Sequence, residues 1–170
     1  QVRAGQPQKS MIVYCPDCGL REEFSSHKWR CSCGGAWEPV QNGSFSPAVI
    51  DDSDHSIWRY RNLFGLDFQE PEIRLGAGWT PMVRTPWCAR DLRFKLEFLA
   101  PTGSFKDRGT EVMVNILAHQ GVTHIAEDSS GNAGASVAAY AARAGMVADI
   151  YVPAHASEKK QAQIHVYGAH

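Results

Sequence analysis

The sequence has no apolar run approaching the length of a membrane span. Its N-terminus also lacks the basic-then-apolar order of an export signal, so neither an embedded nor an exported chain is expected. An excess of charge is missing too. The count is 17 lysines and arginines against 18 aspartates and glutamates, a formal net charge of −1. That leaves no electrostatic footprint for nucleic acid or an anionic membrane. Cysteine is scarce, and four of the five fall in two close pairs instead of a dispersed disulfide framework. This usage points to a reducing, cytoplasmic compartment. No internal repeat is present.

The paired cysteines are the first motif. Cys15-Pro16-Asp17-Cys18-Gly19 is a C-x-x-C knuckle, and Cys31-Ser32-Cys33-Gly34-Gly35 is a tighter second pair. Two such pairs around a short polar hairpin read as a zinc ribbon over residues 11–40. Cys15, Cys18, Cys31 and Cys33 would hold a structural metal with no open position for catalysis. His27 lies between the pairs and is an alternative ligand. A metal-free degenerate ribbon and a pair of disulfides are the other readings. Tyr14 and Trp29 flank the knuckles and are expected to form a small core. Residues 1–10 are polar and read as a flexible tail, and residues 41–55 as a linker rich in Gly, Ser, Pro and Asp. Residues 56–64 read as a short amphipathic helix.

The second motif is Pro101-Thr102-Gly103-Ser104-Phe105-Lys106-Asp107-Arg108-Gly109. Leu92, Phe94, Leu96 and Phe98 alternate with charged residues before it, which predicts a strand with one buried face. The chain then turns through Gly103. Ser104 followed three residues later by Asp107 has capping-box spacing, so a helix is expected from there to Gly121. Its apolar positions are Phe105, Gly109, Val112, Met113, Ile116 and Leu117. Lys106 thus falls in the first helical turn, where free N–H groups and the positive dipole end disfavour its charged form. A lysine held there can condense with an aldehyde, and it is a candidate Schiff-base lysine. An ordinary solvated lysine is the competing reading.

Beyond it the chain alternates strand and helix. Residues 122–127 read as a strand, 128–134 as a turn, 135–144 as an Ala-rich helix ended by Gly145, 147–152 as a strand and 156–167 as a helix. Short loops between such units predict an α/β fold, a parallel sheet flanked by helices. Ligands collect at the carboxyl ends of such strands, and Ser129-Ser130-Gly131-Asn132 before a helix offers backbone donors to an anion. Cys88 is expected to be a small, half-buried core residue, His119 and His124 to be structural, and Trp58 and Trp79 to be core or domain-packing residues.

Taken together, Ser56-Ile57-Trp58-Arg59-Tyr60, Gly78-Trp79-Thr80-Pro81-Met82, Lys95-Leu96-Glu97, residues 101–109, Ser129-Ser130-Gly131-Asn132 and Tyr167-Gly168-Ala169 resemble the threonine synthase family. That family lies within the tryptophan-synthase-β-like fold, type II, of pyridoxal-phosphate enzymes. The resemblance implies that Lys106 carries pyridoxal 5'-phosphate and shuttles protons. It implies that Asn132 meets the cofactor's ring hydroxyl and that Ser104 helps fix the cofactor or substrate phosphate region. Ser129, Ser130, Gly131, Asn132 and Ala133 would grip the α-carboxylate of a small amino-acid substrate. Asp107 and Arg108 would orient the lysine turn, or pair with their surroundings, and not do chemistry. The implied reaction converts O-phosphohomoserine and water to threonine and phosphate. N-terminal ribbons occur in this branch, which adds to the zinc reading.

Family members are considerably longer, and the glycine-rich loop for the cofactor phosphate and the partner of the pyridine nitrogen belong to their later half. Gly76-Ala77-Gly78 cannot replace that loop, because it does not open a helix after a strand. The reading is therefore an N-terminal portion, residues 56–170 being the first part of the catalytic region, with weak cofactor retention and negligible turnover alone. A homodimer or a complementing C-terminal half are the expected partners, with neither nucleic acid nor membrane. The alternatives are a paralogue such as cysteate synthase, or a non-catalytic chain acting as a zinc-stabilised partner.

Overall fold

The computed structural model describes residues 11–170 apart from residues 42, 67, 69, 70, 130, 155 and 157. The tail at residues 1–10 and Ser130 thus lie outside the described residues. The chain divides into two compact units, residues 1–54 with 58–70, and residues 55–57 with 71–170.

In the first unit, strands β1 (Ile12–Tyr14), β2 (Arg21–Glu23) and β3 (Glu38–Pro39) form an antiparallel sheet in the order β2-β1-β3. Side chains on a strand alternate between faces. Met11, Val13 and Cys15 accordingly turn to one side and are all buried. This row and the cysteine sulfurs fill the small interior. Trp29 does not join it: the ring is 78% exposed, with the Arg30 guanidinium 4.6 Å above its centre. Residues 41–55 are more ordered than a linker. They contain a 3-10 turn at Pro47–Val49, and Asp51 accepts from the Ser53 N–H and hydroxyl and from Arg61 at 2.7 Å. The Ser53 donors, with Arg61 behind them, hold the Asp51 carboxyl below the usual carboxylate range. The expected amphipathic helix is a 3-10 helix, Ile57–Leu63. Its apolar anchor Trp58 is buried, meeting Phe64 and Phe68 at ring separations of 6.0 and 6.1 Å.

The second unit begins with a hairpin of β4 (Met82–Trp87) and β5 (Arg90–Lys95), paired from Met82↔Lys95 to Trp87↔Arg90. Cys88 and Ala89 form its two-residue turn, with φ of +50° and +59°. Positive φ at both central positions is the type I′ geometry that matches strand twist. Cys88 is therefore an exposed turn residue, not a core residue. The alternating run at residues 92–98 also differs from expectation. β5 ends at Lys95, Glu97–Leu99 is a 3-10 turn, and Phe94 and Phe98 are exposed. The strand belongs to a two-stranded ribbon and not to a wider packed sheet.

Helix α1 (Lys106–His119), strand β6 (His124–Asp128), helix α2 (Asn132–Ala144), strand β7 (Val147–Tyr151) and helix α3 (Glu158–Val166) follow. β6 and β7 are parallel, from His124↔Val147 to Asp128↔Tyr151, with α2 as the crossover. His170 continues the ladder on the other side of β7: its N–H donates to Ala148 at 2.9 Å and its carbonyl accepts from Ile150 at 2.8 Å. Val114, Ile125, Ala135, Ala138, Ala141, Ala148, Ile150 and Ile164 make up most of the core. The many alanines keep α2 slim where it lies on the strands. His124 is structural in a local sense, its Nε2 lying 2.7 Å from the Asp149 carboxylate on the adjacent strand. Among the described residues no helix is long and apolar enough to cross a membrane.

Candidate functional site

Lys106 is the first residue of α1 and its side chain is exposed, with Nζ 5.0 Å from the centre of the Phe105 ring. The N-cap position is Phe105, which makes no side-chain cap bond, so Ser104 is not the N-cap expected from the sequence. Its hydroxyl instead accepts from the Lys106 N–H at 3.3 Å, two residues on, and bends the turn before the helix. Ser104 is buried in that turn. Asp107 does not reach back to close a capping box. It is fully buried and turns inward, accepting from the Thr102 N–H at 2.7 Å, the Thr102 hydroxyl at 2.6 Å and the Ser136 hydroxyl at 2.6 Å.

One turn further along α1, Glu111 is equally buried. Its Oε2 accepts from the consecutive N–H groups of Leu75, Gly76 and Ala77 at 3.1, 3.2 and 3.1 Å, and from the Tyr140 hydroxyl at 2.8 Å. Burial, with Glu111 alongside, pushes the Tyr140 phenol well above its usual range. Asn115, another turn on, brackets Ile73: Oδ1 accepts its N–H at 3.0 Å and Nδ2 donates to its carbonyl at 2.7 Å. The inner face of α1 is therefore polar. Asp107, Thr110, Glu111, Val114 and Asn115 are its buried positions, while Phe105 is exposed. Of the apolar positions expected over residues 105–117, Met113 and Leu117 pack partly buried against the core, while the most buried positions are mainly polar ones whose groups have partners.

Two of these bonds are rungs between α1 and α2. Asp107 meets Ser136, and Glu111 meets Tyr140, a step of four residues on both helices. A shared step of one turn means that the helices run side by side in the same direction. Their N-termini, at Lys106 and Asn132, open toward the same side. At α1 the first N–H groups are taken, by the Ser104 hydroxyl and by the carbonyls of Ser104 and Phe105, but both ends present the positive pole of a helix dipole, which suits an anion.

Before α2, the Ser129 hydroxyl accepts from the Gly131 N–H at 3.3 Å and so bends the turn. Asn132 is exposed, and Gly131 and Ala133 are half-buried. Gly134 packs against the turn from below. A Cβ there would overlap the Ser129 carbonyl oxygen and lie 2.9 Å from Ile150 Cγ2, so only glycine permits this close approach.

Arg108 faces away from Asp107. Its Nε and Nη2 form a two-pronged pair with Glu97 at 2.9 and 2.8 Å, and Nη2 also donates to the Thr80 hydroxyl at 3.0 Å. Thr80 donates to Glu97 at 2.7 Å, and Lys95 donates to the Thr80 carbonyl. These bonds, with Arg108 first, hold the Glu97 carboxyl down at about 2. The motif threonine at 80 is thus buried, whereas Trp79 beside it is 54% exposed and stacks on His55 at 4.6 Å instead of entering the core. Trp79 sits at φ +48°, which swings its side chain out of the run of its neighbours.

The sulfur atoms of Cys15, Cys18, Cys31 and Cys33 all lie within 4.8 Å of one another. Cys15 to Cys33 is 3.5 Å and Cys18 to Cys31 is 3.6 Å, and all four cysteines are free. A tetrahedral zinc with Zn–S bonds of about 2.3 Å needs sulfurs roughly 3.8 Å apart, so the cluster has the right size. The backbone shapes it. The Gly19 N–H donates to the Cys15 carbonyl at 2.8 Å and the Gly34 N–H to the Cys31 carbonyl at 2.9 Å, making two matching knuckles. At Gly35 a Cβ would overlap Asp17 Oδ2 and come 2.7 Å from the Cys15 sulfur. The N–H of Cys33 draws the Cys31 thiol down to about 7. The Gly35 N–H draws on Cys33 in the same way, but the three neighbouring thiols outweigh it and push Cys33 up to about 12. His27 is exposed and stands outside the cluster.

The residues present fit pyridoxal phosphate in donor chemistry: an exposed lysine amine on one helix start, and an exposed amide with backbone donors on the parallel start beside it. Sequence reasoning had missed Glu111, Asn115, Ser136 and Tyr140. Their signal was the shared four-residue step of 107, 111 and 115 on one helix and 136 and 140 on the other.

A family model described as pyridoxal-phosphate dependent enzyme matches residues 73–170. The chain is 30% identical over 170 residues to the threonine synthase of Methanocaldococcus jannaschii, a match covering 94% of this chain and 42% of that protein. It is 36% identical over 133 residues to the threonine synthase of Synechocystis sp., covering 71% and 35%. Among solved structures, O-ureido-L-serine synthase aligns with 53% of this chain and 31% of its own at 30% identity and a TM-score of 0.50. The chain spans about two fifths of the length of these curated relatives.

Proposed function

The chain belongs to the pyridoxal-phosphate dependent enzyme family, and we propose that it supplies the lysine-bearing part of a threonine-synthase-like lyase site. The reading rests most on one observation: the exposed Lys106 and the exposed Asn132 stand at the starts of two helices that run in parallel, as the Asp107–Ser136 and Glu111–Tyr140 contacts show. Similarity to threonine synthases over most of the chain supports it.

In this reading Lys106 carries the cofactor and Asn132 meets its ring hydroxyl. Ser104 serves the cofactor or substrate phosphate region through the turn its hydroxyl bends. When bound, pyridoxal phosphate supplies an electron sink for the substrate's Cα. The protein's part is binding and proton movement. The N–H groups of Ser129, Gly131, Asn132 and Ala133 hold the α-carboxylate at the positive end of α2; Ser130, outside the described residues, is assigned to the same substrate contact from the sequence alone. Lys106 Nζ is the group we assign to move protons: they leave Cα and Cβ as phosphate departs from Cγ, one is delivered to Cγ to make the methyl group, and water adds at Cβ as Cα regains its proton. The outcome is threonine and phosphate from O-phosphohomoserine. We assign residues 56–170 to the first part of this catalytic region and residues 11–40 to a ribbon closed by one zinc on Cys15, Cys18, Cys31 and Cys33. Four thiolates leave that metal no open position, so its role is structural.

The test is the absorption change when O-phosphohomoserine is added to the chain loaded with pyridoxal phosphate. A response in the wild type, lost in Lys106→Ala and weakened about tenfold in Asn132→Ala, is the expected result. The same response in Lys106→Ala contradicts the assignment.

A further inference from the structure

The two rungs between α1 and α2 differ in what they hold. Glu111 gathers the N–H groups of Leu75, Gly76 and Ala77, remote in sequence from the lysine. Asp107 holds only the turn that delivers Lys106, through two bonds from Thr102, and α2 one turn beyond Asn132, through Ser136. Lys106 itself is exposed and its amine rests near the Phe105 ring, so its placement is set by the backbone it stands on. A buried anion in the first turn also suits the dipole of α1.

We propose that Asp107 is a positioning residue for Lys106. By tying Thr102 and Ser136 to one carboxylate it fixes the spacing between the lysine turn and the start of α2, and with it the rate at which the Lys106 amine meets an aldehyde held there. Reactions between held groups are sensitive to displacements of about 1 Å, which is the scale on which a lost bond lets the turn drift. This rests on the reading of Lys106 as the cofactor-bearing lysine. The chemistry it governs is simple condensation: amine and aldehyde join with loss of one water, and hydride from borohydride then fixes the link as a secondary amine.

Asp107→Ala strands three donors and endangers the fold, so the test uses milder changes. Thr102→Val and Ser136→Ala each remove one hydroxyl from Asp107, and Tyr140→Phe removes the matching hydroxyl from the neighbouring rung. Two quantities are read in the full chain: amide hydrogen exchange over residues 102–108, and the rate at which borohydride locks pyridoxal phosphate onto Lys106. Loss of one such bond is a factor of roughly three to ten. Thr102→Val and Ser136→Ala should speed the exchange and slow the labelling by about that factor, while Tyr140→Phe changes both by less than about twofold. Equal effects from all three variants, or none from the first two, overturn the proposal. If the wild type forms no adduct on Lys106, the functional reading fails by itself. Exchange then decides the positioning claim: a segment 102–108 that Ser136→Ala leaves fully protected overturns it, and a loosened segment supports it.

Discussion

Replacing Glu111 by alanine should be among the most damaging single changes to this chain. The carboxylate accepts four hydrogen bonds on one oxygen, and the four donors differ in what they lose. Leu75 and Gly76 are exposed, so their N–H groups turn to water. The Ala77 N–H and the Tyr140 hydroxyl belong to residues that are 0% exposed. Each stranded donor costs about 1–3 kcal/mol, giving a loss of about 2–6 kcal/mol. Against a typical total of about 5–15 kcal/mol, this brings the second unit close to unfolding. Glu111→Gln keeps the oxygen and loses the charge, for about 1–2 kcal/mol. Tyr140→Phe leaves the anion its three N–H donors and costs about 1 kcal/mol. The assay is urea unfolding of the full chain, with exchange of the Ala77 amide as the local readout. In the double variant of Gln and Phe the effects should fall short of adding, by about 0.5–1.5 kcal/mol, because Gln weakens the bond that Phe removes. A Glu111→Ala chain within about 1 kcal/mol of wild type, or one more stable than Tyr140→Phe, refutes the reasoning.

Three further outcomes follow from the geometry. Glu97 is held at about 2, below its ordinary 4.5, so its pairing stabilises the fold fully above about pH 4.5 and is lost as pH falls through about 2. A quarter of each partner's side chain is exposed, which limits the effect to about 1–2 kcal/mol. Thermal unfolding from pH 5 to 2 should show that slope in the wild type and a flatter one in Glu97→Gln; parallel curves contradict it. Gly134→Ala forces a Cβ onto the Ser129 carbonyl and should cost about 1–3 kcal/mol and disorder the turn before Asn132, seen in thermal unfolding and exchange; an unchanged midpoint counts against the close packing. Metal analysis should find one zinc per chain, released by chelation with loss of the β1–β3 sheet, and Gly35→Ala should bind it more weakly because its Cβ crowds the Cys15 sulfur. A sheet that survives chelation unchanged argues for a metal-free ribbon.

The alternating half of the fold could be read from the chain because local signals agree there. The Ala-rich run predicts a helix at residues 135–144, and α2 is Asn132–Ala144 with Gly145 as its left-handed cap. The strands expected at 122–127 and 147–152 are His124–Asp128 and Val147–Tyr151. What could not be read has a common cause. Burial was inferred from apolarity, and α1 buries carboxylates. Asp107, Glu111 and Asn115 become inner residues only because Thr102, residues 73–77, Ser136 and Tyr140 come to meet them, and those are tertiary contacts. The hairpin turn at Cys88 and Ala89 was hidden for a similar reason, since neither residue is a usual type I′ former. At the ribbon, spacing picked out the four cysteines that cluster, while Trp29 was expected inside because it is aromatic and is instead 78% exposed, the buried places going to Met11, Val13, Cys15 and Cys31.

The central claim is that Lys106 is the lysine that takes the cofactor. Its most direct test is mass mapping of the full chain after incubation with pyridoxal phosphate and borohydride, with Lys106→Ala alongside. The structure leads us to expect one dominant adduct, on Lys106, and its disappearance in the variant without a compensating site. Adducts scattered over surface lysines, at equal yield in both proteins, would contradict the claim.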